Sequence, residues 1–394
     1  MSFALPIAPQ RRGACPTLDA PMQTGDGLLA RIRLAGGRID PLRLEQLATI
    51  CGTYGNGVIE ITARGNLQVR GLSDAIVARF AREVREVVTL ETGPVVETPP
   101  LAGDDTLEFV DPRPLAVEIR TLAAPLTARL GPKVTVVVDG DGQIGLQALK
   151  ADLRLVATAR DRWLVFGGVA LLGSTERPLD CARIVLTALA ALGPAGRATD
   201  LPRADIEAAL GTLVDPMAPL SLPTSSPIGH FRLRKSAATG LGLPFGAIAW
   251  ESIAALADGA WRFGISEFRL GPHHSLLAIG ADGSLIEEAA QIGFIVDPRD
   301  PRTRISACIG SEGCASGHIA ARSEAARLAP LLPAGSNLHV SGCAKGCAHP
   351  GKADVTLVGR SDGYGLVIGG RASDTPQALL RADQLGAVLA SAQG

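Results

Sequence analysis

Aromatic residues are scarce. Three Trp, two Tyr and nine Phe make up 4% of the 394 residues. That is too few to build the stacking platforms on which single-stranded bases are held. An excess of one charge is also missing. Lys and Arg number 38 against 39 Asp and Glu, for a net charge of −1, so no global field draws the chain to nucleic acid or to an anionic membrane. No unbroken apolar run reaches the roughly 18 residues of a membrane span. The opening M-S-F-A-L-P-I-A-P-Q-R-R has no leading positive region, and prolines break its apolar run, so it does not read as a secretion signal. Cysteines number seven and four of them are clustered, which suits a reducing cytoplasm better than a disulfide framework. The length is enough for two or three domains.

What is present centres on residues 308–347. The stretch reads C-I-G-S-E-G-C, a spacer, then C-A-K-G-C, and places Cys308, Cys314, Cys343 and Cys347 with gaps of five, twenty-eight and three. Four soft thiolates suit an iron–sulfur cluster or zinc. Structural zinc uses tighter Cys pairs, so the five-residue gap leans toward iron. Gly310, Gly313, Ser316, Gly317, Gly342 and Gly346 leave room for backbone amides near sulfur. Lys345 and His349 supply groups that offset the negative charge of a cluster.

The chain before this stretch alternates elements. Residues 28–34, L-L-A-R-I-R-L, read as a half-buried strand. Asp40 and Pro41 read as a helix cap and first turn, and Leu44, Leu47, Ile50 and Cys51 as its core stripe. Gly52 and Gly55-Asn56-Gly57 are expected to stop that helix. Strands V-I-E-I-T and L-Q-V-R-G-L follow, then a helix over 74–88. The unit returns at an offset of 209: Leu44, Leu47, Ala48, Tyr54, Gly55, Leu67 and Gly71 meet Ile253, Leu256, Ala257, Phe263, Gly264, Leu276 and Gly280. One repeat of this length is a duplicated half-domain, not a solenoid period. Between the copies, 92–114 reads as a loop, 115–130 as a helix and Val134–Val138 as a strand. D-G-D-G reads as a hairpin turn with strands continuing to Phe166. A helix from Cys181 follows, then a linker over 214–229. After the second copy come a helix over 319–332 and strands at 338–340, 353–358 and 365–368.

The cysteine spacing resembles the sirohaem-dependent sulfite and nitrite reductase family, in which C-x5-C and C-x3-C hold a 4Fe–4S cluster. R-R-G-A-C-P near residue 11, M-Q-T-G-D-G-L-L near 22, Y-G-N-G near 54 and H-V-S-G-C-A-K-G-C-A-H-P near 339 most resemble the branch that acts on precorrin-3A in aerobic cobalamin synthesis. The resemblance spans nearly the whole chain. It implies an α/β (α+β) fold of sulfite/nitrite reductase type. The expected parts are ferredoxin-like half-domains at 14–90 and 230–293, an α/β lobe at 105–213, the linker at 214–229 and a cluster-binding α/β lobe at 294–394. It implies an oxygen-dependent hydroxylation of precorrin-3A at C20 with closure of a γ-lactone. Its cofactors would be the cluster and a mononuclear non-haem iron, with electrons from an external donor. The competing readings are an assimilatory sulfite or nitrite reductase with sirohaem, and a zinc- or cluster-bearing binding protein without activity.

Other candidates gain their roles from the same resemblance. T-A-R-G-N-L-Q-V-R, residues 62–70, places Arg64, Gln68 and Arg70 at even offsets of one strand, hence on one face. By themselves they read as a solvated face. The resemblance turns Arg64 toward the tetrapyrrole, with Gln68 and Arg70 beside it, since guanidinium groups suit carboxylates. Lys133 matches the first of two lysines that the reductases place over their anion, and the second falls at Thr135. That departure weakens the reductase reading. His273 and His274 lie opposite Arg64 in the repeat. They read as polar turn residues or as iron ligands, with His273 also a substrate contact. Lys345 is a further substrate contact. G-D-G-Q-I-G at 140–145 fits G-x-G-x-x-G and follows a strand, but no helix opens after it, so it reads as a decoy and not a nicotinamide site.

Overall fold

The computed structural model describes residues 16–218, 220, 222–280 and 283–391. The arm expected over 1–13, and Cys15, lie outside the described residues. The chain divides into two compact units, one holding Thr92–Ser225 and the other Leu18–Glu91 with residues from Ser226 onward. No helix among the described residues is long and apolar enough to cross a membrane.

In chain order the larger unit opens with β1 (Met22–Thr24), β2 (Gly27–Ile32), β3 (Arg38–Ile39), α1 (Pro41–Tyr54), β4 (Val58–Ile61), β5 (Leu67–Leu72) and α2 (Val77–Val87). Asp40 caps α1, its carboxylate accepting the Arg43 amide at 3.0 Å. Leu44, Leu47, Ala48 and Cys51 form the buried stripe. The helix does not stop at Gly52, as its sequence suggests, but continues to Tyr54. A Cβ on Gly52 would lie 2.4 Å from the Trp250 ring, so this glycine serves close packing, and termination falls to Gly55.

The smaller unit holds β6 (Val95–Glu97), α3 (Arg113–Ala123), β7 (Thr135–Asp139), β8 (Leu153–Ala157), β9 (Trp163–Gly167), β10 (Ala170–Thr175), α4 (Pro178–Ala191) and α5 (Arg203–Leu210). Its sheet runs β10-β9-β8-β7-β6. The expected loop over 92–114 therefore contains a strand, too short at three residues to show alternation. D-G-D-G does not close a hairpin, because β7 and β8 are parallel, and parallel neighbours need a crossover. The Asp139 carboxylate fixes the start of that connection, accepting the amides of Asp141 at 2.9 Å and Leu146 at 2.8 Å. No helix follows Gly145 before β8.

The larger unit resumes with β11 (Gly229–Arg232), β12 (Ala237–Gly242), β13 (Ala247–Ala249), α6 (Trp250–Asp258), β14 (Glu267–Gly271), β15 (Ser275–Ile279) and α7 (Ile286–Gln291). α6, β14 and α7 begin 209 residues after α1, β4 and α2, so the repeat in the sequence is a repeat of structure. The two sheets run β1-β2-β5-β4-β13 and β11-β12-β15-β14-β3. Each half lends its short third strand to the other: Ile248 pairs with Ile59 and Ile39 with Phe268. One core joins both halves, with Leu44 and Leu47 beside Ile253 and Leu256.

The chain ends in β16 (Ile305–Ala307), α8 (Ala321–Leu328), β17 (Leu338–Ser341), β18 (Ala353–Arg360), β19 (Gly363–Gly370), β20 (Ala378–Leu380) and α9 (Leu385–Ser391). They form a sheet in that strand order, parallel from β16 to β18 and antiparallel beyond. β16 and β20, three residues each, escape the sequence pattern.

Candidate functional site

The four cysteines sit on two loops at the same end of the parallel strands. Cys308 and Cys314 follow β16; Cys343 and Cys347 follow β17. The His318 amide ties the two loops together by donating to Gly342 O at 2.8 Å, and within the first loop Cys314 N donates to Gly310 O at 2.9 Å. A Cβ on Gly317 would lie 2.4 Å from Gly310 C, and one on Gly342 would lie 2.8 Å from Gly310 Cα. Only glycine permits this approach. The Gly342 amide then donates to Cys308 Sγ at 3.1 Å, and Lys345 Nζ crosses to Ser316 Oγ at 2.9 Å.

Electrostatics shows the thiols converging. Burial raises the Cys347 pKa, and the charges of Cys308, Cys343 and Cys314 raise it further, with Lys345 opposing. Cys51 differs: burial alone pushes its thiol up to about 12, which fits its place in the core. Among the described residues no three Cys, His, Asp or Glu side chains are grouped as a single ion requires. Four cysteines on two glycine-lined loops, with an amide aimed at one sulfur and a lysine alongside, could hold an iron–sulfur cluster.

A second loop supports the first. A Cβ on Gly25 would lie 2.4 Å from the Ala315 amide, so β1 and β2 meet directly against the cysteine loop. Arg70 grips Asp26 with Nε at 3.1 Å and Nη2 at 2.9 Å, and Nη2 also donates to Gly313 O at 2.9 Å. Thr24 Oγ1 and Asn56 Nδ2 complete the Asp26 shell at 2.7 and 3.1 Å. Arg70 therefore holds the cysteine loop, and its expected grip on a substrate carboxylate gives way to this ion pair.

The face expected for Arg64, Gln68 and Arg70 is reordered. Arg64 lies on the turn between β4 and β5 and not on the strand. Gln68 is engaged within its sheet, donating to the Glu60 carboxylate and accepting from Arg31 Nη2 at 3.0 Å. Arg322, on α8, donates to the other oxygen of Glu60. The row Arg31, Gln68, Glu60, Arg322 ends at each side in a buried Nε without a hydrogen-bond partner. No motif in the sequence marks Arg31 or Arg322. Alternation in β2 shows Arg31 on a polar face, but only tertiary packing brings Arg322 there.

His273 and His274 occupy the turn between β14 and β15, with φ of 54° and 63°. Strand alternation does not apply to them. Two consecutive histidines in left-handed conformation are strained, since such turns favour Gly and Asn. The His273 amide donates to Ala63 O at 3.0 Å, so this turn meets the Arg64 turn. His274 Nδ1 lies 2.6 Å from Ile61 O; a carbonyl accepts only, so Nδ1 carries the proton and Nε2 the lone pair. Burial lowers the pKa of the His274 ring, while His273 is exposed. Among the described residues no third His, Cys, Asp or Glu side chain groups with them as an iron site requires.

In the smaller unit, Lys133 is exposed just before β7. Thr135 is 4% exposed, its Oγ1 donating to Lys133 O at 3.2 Å and its amide to Asp152 at 3.0 Å. A buried hydroxyl thus stands where the resemblance places a second lysine.

Comparisons with known proteins fit this architecture. Residues 20–87 match the family model of the nitrite/sulfite reductase ferredoxin-like half domain. The structure of the NirA protein of Mycobacterium tuberculosis is similar at a TM-score of 0.72 and 22% identity, over 91% of this chain and 79% of that one. A ferredoxin–nitrite reductase of Synechococcus elongatus is 24% identical over 85% of this chain and 77% of its own. Duplicated half-domains and a cysteine-bearing lobe define a protein of the sulfite/nitrite reductase class, and with it an iron–sulfur cofactor at the level of the family. A precorrin-3B synthase of Sinorhizobium is 39% identical over 98% of this chain and 88% of its own length. This chain belongs to the precorrin-3B synthase family.

Proposed function

We propose that the chain catalyses the precorrin-3B synthase reaction, the oxygen-dependent hydroxylation of precorrin-3A at C20 with lactone closure, as a cytoplasmic monooxygenase of aerobic cobalamin synthesis. The observation that carries this reading is the near full-length likeness to a precorrin-3B synthase, and the buried Thr135 supports it. Sulfite reduction needs a second cation and proton donor there, and a threonine donating to its neighbour's carbonyl supplies neither.

Cys308, Cys314, Cys343 and Cys347 would hold a 4Fe–4S cluster, and the glycine-lined loops fit it. When bound, it supplies electrons one at a time. One atom of dioxygen enters the product and the other leaves as water, so a turnover consumes two electrons and two protons. Arg64 on its turn is the proposed contact for substrate carboxylates. Lys133, Lys345 and His273 remain proposed contacts at exposed positions. His274 presents Nε2 as a proton acceptor, held by Ile61 O. The mononuclear iron implied by the resemblance finds no three-residue ligand set among the described residues, and no step is assigned to it.

Anaerobically purified protein should be brown and carry about four irons and four sulfides per chain, as one such cluster requires. Given precorrin-3A, reductant and labelled dioxygen, the product should gain one labelled oxygen atom. Robust six-electron reduction of sulfite, or product oxygen drawn wholly from water, would overturn the assignment.

A further inference from the structure

The turn between β14 and β15 is held in a costly shape. His273 and His274 both have positive φ, 54° and 63°, which glycine adopts freely and other L-residues adopt at a cost. The surrounding chain enforces it. The His273 amide donates to Ala63 O at 3.0 Å, and the Leu243 amide to His274 O at 2.8 Å. Ser275 Oγ donates to Pro272 O at 2.7 Å. Backbone strain fixed from several sides in this way collects at functional sites.

The His274 ring is fixed as firmly as its backbone. Nδ1 donates to Ile61 O at 2.6 Å, and a Cβ on Gly246 would lie 2.4 Å from the same nitrogen. Nε2 is left over. Among the described residues it has no hydrogen-bond partner, yet it is not one of the buried polar atoms stranded without one, and the side chain is only half-buried. Nε2 therefore opens to water. Burial is nevertheless the largest influence on the ring's pKa and lowers it; the Ile61 bond raises it, Arg322 lowers it and Glu60 raises it. The opening is thus a recess beside Glu60 and Arg322, next to the turn that carries Arg64. An arginine stays charged and cannot carry a proton back and forth. Imidazole gains and loses one near neutral pH.

We propose that His274 is a catalytic residue of the hydroxylation: Nε2 takes a proton from water and gives it to the oxygen atom of dioxygen that leaves as water. The inference rests on the proposed function. One oxygen atom enters the C–H bond at C20, and the other takes two protons, with two electrons from an external one-electron donor. For each proton that His274 delivers, the Nε2–H bond breaks, an O–H bond forms, and the neutral ring is recharged from solvent. Nδ1 keeps its proton for Ile61 O throughout, so the ring exchanges protons at one atom. A donor held by a strained turn is already oriented when the proton is needed, and a mobile side chain is not.

The test uses His274→Asn and His274→Gly, since both residues accept a positive φ. Each is purified anaerobically and its iron and sulfide are counted against wild type. Binding of precorrin-3A is measured without oxygen. Turnover is then run with dioxygen and reduced ferredoxin, and product and hydrogen peroxide are counted per electron above a protein-free control. Both variants should carry wild-type iron and bind precorrin-3A as wild type does. They should form product about a hundredfold more slowly, with the missing electrons recovered as hydrogen peroxide. Free imidazole should restore product formation in His274→Gly, where it fits the vacated space, and not in His274→Asn. A His274→Asn protein that makes product as fast as wild type, without peroxide, overturns this inference alone. So does weakened precorrin-3A binding in both variants without rescue by imidazole, which would make the ring a substrate contact. Wild type that forms no product from precorrin-3A, dioxygen and the same donor overturns the proposed function, and this inference with it.

Discussion

Asp26 bears on the cysteine loop from below. Its side chain is 12% exposed and that of Arg70 10%, so their ion pair is shielded from water and salt. Burial pushes the Asp26 carboxyl up, but the bonds from Arg70 and Thr24 more than offset this, and its pKa ends below the usual carboxylate value. A folded pKa below the unfolded one means stabilisation that is present above about pH 4 and is lost as pH falls through the folded value. Asp26→Asn should therefore cost about 1.5–3 kcal/mol at pH 7. Unfolding curves of the two proteins should draw together as the pH falls through the folded pKa of the Asp26 carboxyl. A gap that keeps the same size from pH 7 down into that acid range would assign the loss to shape and not to charge. At this scale the placement of the four cysteines on loops flanking one helix was legible, because their spacing is local. Asp26 and Arg322 were not. T-G-D-G and A-A-R-S-E read as ordinary turn and helix, and their partners lie 44 and 262 residues away in sequence.

Duplication explains the elements better than local propensity does. The offset of 209 carries over even to unusual backbone: Gly36 and Gly37, with φ of 63° and 66°, correspond to Phe245 and Gly246, with φ of 54° and 79°. Phe245 adopts a conformation that its side chain disfavours, because the exchanged strand β13 must leave β12 at the same angle as β3 leaves β2. α1 and α6 face each other across the join, and Gly52 packs directly against the Trp250 ring there. Gly52→Ala gains about 1 kcal/mol of helix propensity. It also drives a methyl group to 2.4 Å from the Trp250 ring, and overpacking of that kind costs about 1–3 kcal/mol. Denaturant unfolding should show the variant less stable than wild type, and a more stable variant would mean the ring can shift aside. Helix positions and the longer strands were legible from periodicity and caps. Strands of two or three residues, such as β3 and β6, were not, since they exist only through their neighbours. Nor was the parallel pairing of β7 and β8, because a D-G-D-G segment has the composition of a hairpin turn whichever way the chain continues.

At the scale of the whole molecule, the fold was legible because a repeat and a four-cysteine pattern together restrict it far more than composition does. Composition excluded partners; it did not choose a reaction. The proposed hydroxylation needs electrons, and the chain's own architecture bears on their source. The G-D-G-Q-I-G segment has the lettering of a dinucleotide site, but such a site presents a phosphate to the first turn of a helix. Here the segment runs to β8 without a helix. Its amides are already engaged, Gln143 N with Asp105 at 2.7 Å and Leu146 N, just beyond it, with Asp139 at 2.8 Å. Two carboxylates at this loop would also repel a pyrophosphate. That segment therefore offers no nicotinamide site, and the proposed function takes its electrons singly from an external donor. Purified protein given precorrin-3A, dioxygen and NADH or NADPH alone should form no product. Adding a one-electron donor such as a reduced ferredoxin should start turnover, with two donor molecules oxidised for each product. Stoichiometric oxidation of NADPH by the pure chain, coupled to product, would show a nicotinamide site in this molecule and remove the need for that partner.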